Sequence, residues 1–424
     1  MSKTLFRNGT VLSPSGPIEA DVLVESDQIE AVTSGIAVSA DREIDCTGLW
    51  VGPGFVDIHT HLREPGQAYK EDIETGSRAA AAGGYTAVLA MPNTDPAIDS
   101  GHLVRYVKER GREVGLVEVA AAGCVTAGRQ GQKLAHLDDL WAAGARMFSD
   151  DGDVVEDAGL LRRAMDYLAQ LGGIISQHAI DPGLARDGHM HEGAVASSLG
   201  MTAIPSAAET VVVGRDIELV RLTGCRYHVQ HLSAAASLPL IASAKQQGLP
   251  VTAEVTPHHL AFSDQAVLAT DPVFKMMPPL RAEKDRAALV EGLRSGIIDV
   301  VATDHAPHAD HEKDVPFEEA PNGVIGLEWA AAVVNDVVGL EAQRFFEVMS
   351  VKPAEIGMFT DHGRWIEAGN RAHIVVFDPN GTTEVGRSES KSRNAPYVGR
   401  SWKGAVRYTM YAGELTHQES GVSV

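Results

Sequence analysis

At 424 residues the chain exceeds an average single domain, yet an α/β barrel with an accessory piece fits that length comfortably. Hydrophobic residues make up 44% of it and charged ones only 22%, enough apolar material for a large buried core. The formal net charge of −21 argues against nucleic acid or an anionic membrane as partner, and no apolar run approaches the ~20 residues needed to cross a bilayer.

The first residues, MSKTLFRNGTVL, lack the apolar centre and cleavage pattern of a secretory signal. Three scattered cysteines, Cys46, Cys124 and Cys225, make neither a disulfide framework nor a thiolate cluster. The expected setting is a reducing cytoplasm, with histidine and carboxylate as the metal ligands to look for.

Residues 1–53 read as short strands at Thr4–Phe6, Thr10–Leu12, Ala20–Val24 and Gln28–Val32, punctuated by Asn8-Gly9 and Ser15-Gly16-Pro17. A similar β-rich passage returns in 364–424, at His373–Phe377 and Val406–Tyr411. The two ends are therefore expected to form one small β-sandwich-like domain, with residues 54–363 inserted between them. In that middle region strands alternate with helices. The expected strands are Phe55–His61, Thr86–Met91, Glu118–Cys124, Ala145–Ser149, Gly173–His178, Tyr227–His231, Pro250–Val255 and Asp299–Thr303. Seven helical stretches lie between most of them, a pattern that predicts a parallel (β/α)8 TIM barrel.

Such barrels carry their chemistry at the C-terminal ends of the strands, and polar residues fall there. The first strand ends in His59-Thr60-His61, and strand alternation sends both imidazoles to one face, half of a divalent metal site. His178 and His231 end the fifth and sixth strands, and Asp151 and Asp304 follow the fourth and eighth. Six nitrogen and oxygen ligands exceed the need of one tetrahedral ion and suit a pair of divalent ions, expected to be Zn2+. Asp151 could bridge the pair; Asp150 is a weaker candidate, and either could instead cap the following helix. A two-metal site generates hydroxide near neutral pH and polarises a carbonyl, and Asp304 could carry the proton to a leaving nitrogen. That assembly suits hydrolysis of an amide C–N bond or its reversal. Arg63, Asn93 and His308, in loops at strand ends, could bind a substrate anion, Arg63 in bidentate fashion. His258 and His259 are either supports for the ligands or structural; His102, His136, His362, His373 and His417 read as surface residues. The loop 306–322 reads as polar and able to close over the site.

The blocks DIHTHLREPG (57–66), AMPNTDP (90–96), FSDDG (148–152), SQHAID (176–181), EVTPHHL (254–260) and ATDHAPH (302–308) closely resemble class I bacterial dihydroorotase, a cyclic amidase of the amidohydrolase superfamily. The resemblance covers nearly the whole chain. It implies a zinc-dependent, reversible cyclisation of N-carbamoyl-L-aspartate to L-dihydroorotate in pyrimidine biosynthesis. It further assigns His59, His61 and Asp304 to one zinc, His178 and His231 to the other, and Asp151 to the bridge. Asp304 matches the family's acid/base residue. Arg63, Asn93 and His308 match its carboxylate-binding groups, and Asn322-Gly323 match a loop that contacts substrate through its backbone. A homodimer, or an assembly with aspartate carbamoyltransferase, would suit the family.

Two positions depart from the pattern. Where the family reads KMNPPLR this chain has Lys275-Met276-Met277-Pro278-Pro279-Leu280-Arg281, so an asparagine that touches the ring is replaced by Met277. Asn322 stands where an aromatic residue is common. Dihydropyrimidinases, hydantoinases and allantoinases share the first histidine pair but bridge their metals with a modified lysine, absent from Ala145–Asp151. A non-catalytic scaffold for aspartate carbamoyltransferase would have lost metal ligands, and all six are present here.

Overall fold

A computed structural model describes residues 2–419 as a mixed α/β fold. Its parallel strands match the expected positions in order: Phe55–Thr60, Tyr85–Ala90, Glu118–Ala121, Met147–Phe148, Ile174–Gln177, Arg226–Val229, Val251–Val255 and Val300–Val301. They are called the first to the eighth parallel strand below. The first three form one sheet and the last five another. Parallel bridges Gly123–Phe148 and Thr60–His305 then join the two sheets at both edges. Each strand backbone is thus paired on two sides, which disposes of the edge groups that would otherwise need water.

The first two parallel strands are buried along their whole length. Both faces are therefore shielded from water, with helices outside and side chains inside, and Asp57, His59, Thr60 and Thr86 are buried along with the apolar residues. Val56, Ile58, Leu89, Met147, Ile174 and Val300 fill the inside, where the segment Ala354–Phe359 plugs the space. Helices cover the outside, among them Ile73–Ala82, Gly101–Val114, Ala158–Leu171 and Ala207–Thr223. Asp72 and Asp157 begin two of them by accepting the backbone N–H groups of Thr75 and Leu160 at 2.8 Å each.

Both chain ends meet in one sheet. Its order runs Glu414–Gln418, Ser401–Tyr411, Ile374–Glu384, Trp50–Pro53, Lys3–Ser13, Gly16–Glu25, Gln28–Thr33, with Arg42–Asp45 also paired to Lys3–Ser13. Val51 links the halves, pairing with Val11 on one side and Val376 on the other. Asn8-Gly9, expected as a turn, is instead a bulge within one long strand; Asn8 takes a φ of 57° and the register shifts between Phe6 and Gly9. The reading of His362 and His373 as surface residues is overturned. Both are buried, stacked with ring centroids 3.9 Å apart between the sheet and the parallel strands.

Trp50, Phe55, Phe345, Phe346 and Phe377 pack together at the same junction, with centroid separations from 5.1 to 6.4 Å. Gly52 allows this packing, because a Cβ there would lie 2.2 Å from the Phe346 ring. Among the described residues no helix is long and apolar enough to cross a membrane.

Candidate active site

The C-terminal ends of the parallel strands converge on a cavity of about 550 Å³. His61, Asp151, His178, His231 and Asp304 line it, as do Arg63, Asn93, Met277, His308, Asn322 and Gly323. His59 lies just beneath, fully buried. Every residue that the family resemblance assigned to metal or substrate is therefore at one place.

Two groups of ligand atoms stand close enough to hold an ion each: His59, His61 and Asp151, and Asp151, His178 and His231. Asp151 belongs to both. Its carboxylate oxygens lie 3.4 Å from His59 Nε2, 3.5 Å from His61 Nε2, 3.8 Å from His178 Nδ1 and 3.7 Å from His231 Nε2. Asp304 Oδ1 is 2.9 Å from His61 Nε2 and 3.5 Å from His59 Nε2. Two ligands each about 2.1 Å from one tetrahedral ion lie about 3.4 Å apart, so these spacings suit a shared cation. His59 Nε2 gives a further sign of fit. It is buried, faces two carboxylates and has no hydrogen-bond partner, a lone pair otherwise costly to bury.

The electrostatics agree. Burial alone would raise the Asp151 and Asp304 carboxyls, but the surrounding imidazoles outweigh it and hold both well below the usual carboxylate range. Burial would lower His59, and Glu254, Asp151 and Asp304 reverse that and raise it well above its ordinary value. The pocket's field thus calls for positive charge at the point where the ligand atoms meet.

Three site residues adopt left-handed backbone: Arg63 at φ 59°, His231 at 31° and Asp304 at 46°. Such conformations cost about 1–3 kcal/mol each and persist where the surroundings over-determine them. Two buried carboxylates supply part of that determination, and the sequence reading gave neither a role. Glu254, on the seventh parallel strand, accepts from His59 Nδ1 at 2.5 Å and from the His231 backbone N–H at 3.0 Å with the same oxygen. Its other oxygen is 3.0 Å from His228 Nε2. Glu254 therefore orients a ligand from each group at once. Asp57 accepts the His59 N–H at 3.0 Å and the Thr303 N–H at 3.1 Å, tying the first parallel strand to the eighth beneath the site. Burial raises the Asp57 carboxyl to about 7. A signal was available for Glu254, an acid within a largely apolar strand that alternates with Ala253 and Val255; Asp57 alternates with the inward Val56 and Ile58 and gave no such sign.

Asp150 is not a ligand. It accepts the Val125 and Thr126 backbone N–H groups at 2.9 and 3.0 Å, and Asp157 rather than Asp150 or Asp151 caps the next helix. His259 is structural, bonded to Thr256 Oγ1 at 2.8 Å and the Pro278 carbonyl at 3.1 Å. His258 has no partner at either nitrogen, and burial lowers it to about 4.

Around the cavity, Arg63 donates from Nε to the Pro307 carbonyl at 3.1 Å, leaving its terminal nitrogens to meet an anion. Burial lowers its guanidinium to about 10, so it is a cation at neutral pH. Asn93 is 2.8 Å from His61 Nδ1 and donates to Asp151 at 3.4 Å. His308 lines the cavity, but its Nε2 is committed to the Asn322 carbonyl at 2.8 Å, and burial lowers it to about 3. Met277 packs on an apolar cluster of Ile180, Ala185, Ile204 and Ala208 and forms the greasy wall. The 306–322 loop is fastened down, since Lys313 donates to the Pro272, Lys275 and Pro321 carbonyls at 3.1, 3.2 and 2.8 Å.

The histidine–aspartate groups at the ends of the parallel strands agree with the amidohydrolase resemblance read from the sequence. The fold agrees: L-hydantoinase (dihydropyrimidinase) from Arthrobacter aurescens superposes with a TM-score of 0.89 at 26% identity, covering 100% of this chain and 98% of its own. A family model described as dihydro-orotase-like matches residues 48–237. Dihydroorotase from Streptomyces coelicolor is 43% identical over 424 residues, 98% of either chain. That from Mycobacterium leprae is 46% identical over 408 residues, 94% of this chain and 95% of its own. The chain belongs to the dihydroorotase family, whose members are metal-dependent.

Replacing Glu254 with Gln removes the charge that orients His59 while keeping its shape. The affinity for a divalent ion should fall roughly 10–100-fold. Competition against a chromophoric chelator measures it, and an unchanged affinity would show that the ligands hold their orientation without the carboxylate.

Proposed function

We propose that the protein is a dihydroorotase, a hydrolase acting on the ring amide C–N bond of L-dihydroorotate and on the reverse cyclisation of N-carbamoyl-L-aspartate. This places it in de novo pyrimidine (UMP) biosynthesis. The observation that carries the reading is that Arg63, a buried cation with free terminal nitrogens, faces the same cavity as the histidine–aspartate cluster. A carboxylated ring seated by Arg63 would put its amide over that cluster.

His59, His61 and Asp304 would hold one Zn2+, His178 and His231 the other, with Asp151 between them; the two ligand groups that share Asp151 support this, as does Asp304 at 2.9 Å from His61 Nε2. When bound, the ions would supply a hydroxide-like nucleophile near neutral pH and polarise the amide carbonyl. Asp304 enters ionised, because the imidazoles lower its carboxyl despite its burial. It can take the proton of the attacking water and deliver it to the ring nitrogen as the C–N bond breaks. Arg63 pairs with the substrate carboxylate, Asn93 fixes the His61 ring, and the Asn322-Gly323 backbone closes the rim. His308 would contribute by holding Asn322, or by exchanging that carbonyl for the substrate.

The same reading takes residues 54–363 as a (β/α)8 barrel and 1–53 with 364–424 as a small β domain. The ring of parallel bridges and the sheet shared by both ends support it. It also places the protein in the cytoplasm, where three buried free thiols suit a reducing setting. A homodimer, or a complex with aspartate carbamoyltransferase, belongs to the same proposal.

The direct test is hydrolysis of L-dihydroorotate beside dihydrouracil, hydantoin and allantoin, with and without a chelator. Turnover confined to the carboxylated ring and abolished by chelation is expected; turnover of the rings lacking a carboxylate would mean a hydantoinase-like specificity and a misread Arg63. Met277 offers only a weak acceptor where an asparagine would bond the ring. Met277→Asn should improve KM for dihydroorotate by roughly fivefold, the equivalent of about 1 kcal/mol for one hydrogen bond. An unchanged KM and kcat would show that the ring does not reach this position.

A further inference from the structure

Between the strands Ile374–Glu384 and Ser401–Tyr411 the chain leaves the terminal sheet and crosses to the C-terminal ends of the parallel strands. This excursion carries Asn394, which is 5% exposed. Its Nδ2 donates to the Ala306 carbonyl at 3.0 Å and the Gly323 carbonyl at 3.1 Å, and its Oδ1 accepts the His308 backbone N–H at 3.1 Å. Its own carbonyl accepts the Ile325 N–H at 3.1 Å. One amide thus joins two loops that lie far apart in sequence, using both of its donor hydrogens and its acceptor.

Those loops carry the proposed anion-binding groups. The peptide from Ala306 to His308 includes the Pro307 carbonyl that receives Arg63 Nε, and it sets the His308 ring against the Asn322 carbonyl. Gly323 sits at φ 135°, and a Cβ there would lie 2.8 Å from the Ala306 Cβ and 3.0 Å from His308 Nε2. The two loops are in such close contact that a shift of either displaces the other. Arg63, His308 and the 322–323 backbone therefore share one support.

The excursion is itself anchored. Ser390 donates its hydroxyl to the fully buried Glu71 carboxylate, and the Lys391 N–H reaches Glu71 at 3.1 Å. Glu71 is also 3.3 Å from Nε2 of His305, the residue after Asp304. Ser392 Oγ donates to the Lys70 carbonyl at 2.7 Å.

Resting on the proposed dihydroorotase reading, we propose that Asn394 is a positioning residue for substrate binding: the excursion acts as a strap from the terminal sheet that fixes the carboxylate-binding side of the cavity. Asn394 does not itself line the cavity or belong to the histidine–aspartate cluster; it bonds to the backbones of His308 and Gly323, which do line the cavity. Its effect passes through the 306–308 and 322–325 backbones, so it governs how tightly the carboxylated ring is seated and leaves proton transfer at Asp304 alone.

The test uses the full-length, metal-loaded protein with Asn394→Ala, and with Asn394→Asp, which keeps the size and the acceptor but turns a carboxylate toward two carbonyls. In both, KM for L-dihydroorotate should rise by about tenfold or more, with kcat within about threefold, since an interaction made equally in ground and transition states has been lost. Metal content should stay at the wild-type value. Amide hydrogen exchange at His308, whose N–H loses its acceptor in Asn394→Ala, should accelerate. Folded variants with unchanged KM and unchanged exchange would overturn the proposal. So would a lower melting temperature and kcat at constant KM, or failure of both variants to fold, since either makes Asn394 a stability residue only. If the wild type does not turn over dihydroorotate, the functional reading falls, while exchange at His308 and in 322–325 still decides whether the strap holds the loops.

Discussion

Asp151 is the charge on which four histidines converge, and it sits 3% exposed among them. A carboxylate taken out of water without partners would be neutralised by proton uptake. Here imidazoles within 3.4 to 3.8 Å keep it ionised. The remainder of the site follows from keeping that arrangement rigid. Its groups arrive from the ends of five different parallel strands, whose two sheets are joined by the bridges Gly123–Phe148 and Thr60–His305, and such paired backbones limit their freedom. Glu254 and Asp57 work from beneath, where apolar packing offers no hydrogen bonds. Each ties a histidine to a neighbouring strand, so one fixed backbone serves several ligands.

The chain as a whole carries −21, which would repel a carboxylated substrate at long range. Asp151, Asp153, Glu156 and Asp304 also line the cavity and Arg129 is paired with Asp153 at 2.7 Å, but Arg63 keeps its charge although buried. Short-range pairing at the wall, more than the field of the whole molecule, is what can seat an anion there. Met277 gives part of the wall an apolar face.

Much of this was legible in the amino-acid sequence, because its signals are local. Alternation alone predicts that His59 and His61 share a face, and all eight parallel strands lie where alternating apolar stretches place them, with ends differing by a few residues. What stayed hidden depends on partners distant along the chain. Glu254 looks like any acid in a strand until His59, 195 residues away, is brought against it. His362 and His373 read as surface residues because their short polar contexts do not show that they stack under a sheet made from both chain ends. The stretch 364–424 reads as purely part of the terminal sheet, yet Ser390 and Asn394 reach the far ends of the parallel strands through hydrogen bonds spanning 319 and 71 to 88 residues. Asn8-Gly9 misleads in the other direction. Its turn chemistry is real, but the pairing on either side is strong enough to absorb it as a bulge.

Coupling of two ion sites by the Asp151 carboxylate is the proposal on which the rest of the site depends. It is tested most directly by metal stoichiometry and affinity in the wild type and in Asp151→Asn. Two divalent ions per chain are expected in the wild type, with both sites weakened together when the shared charge is removed. Loss of one ion while the other keeps its full affinity would contradict it, and would reduce Asp151 to an ordinary ligand of a single site.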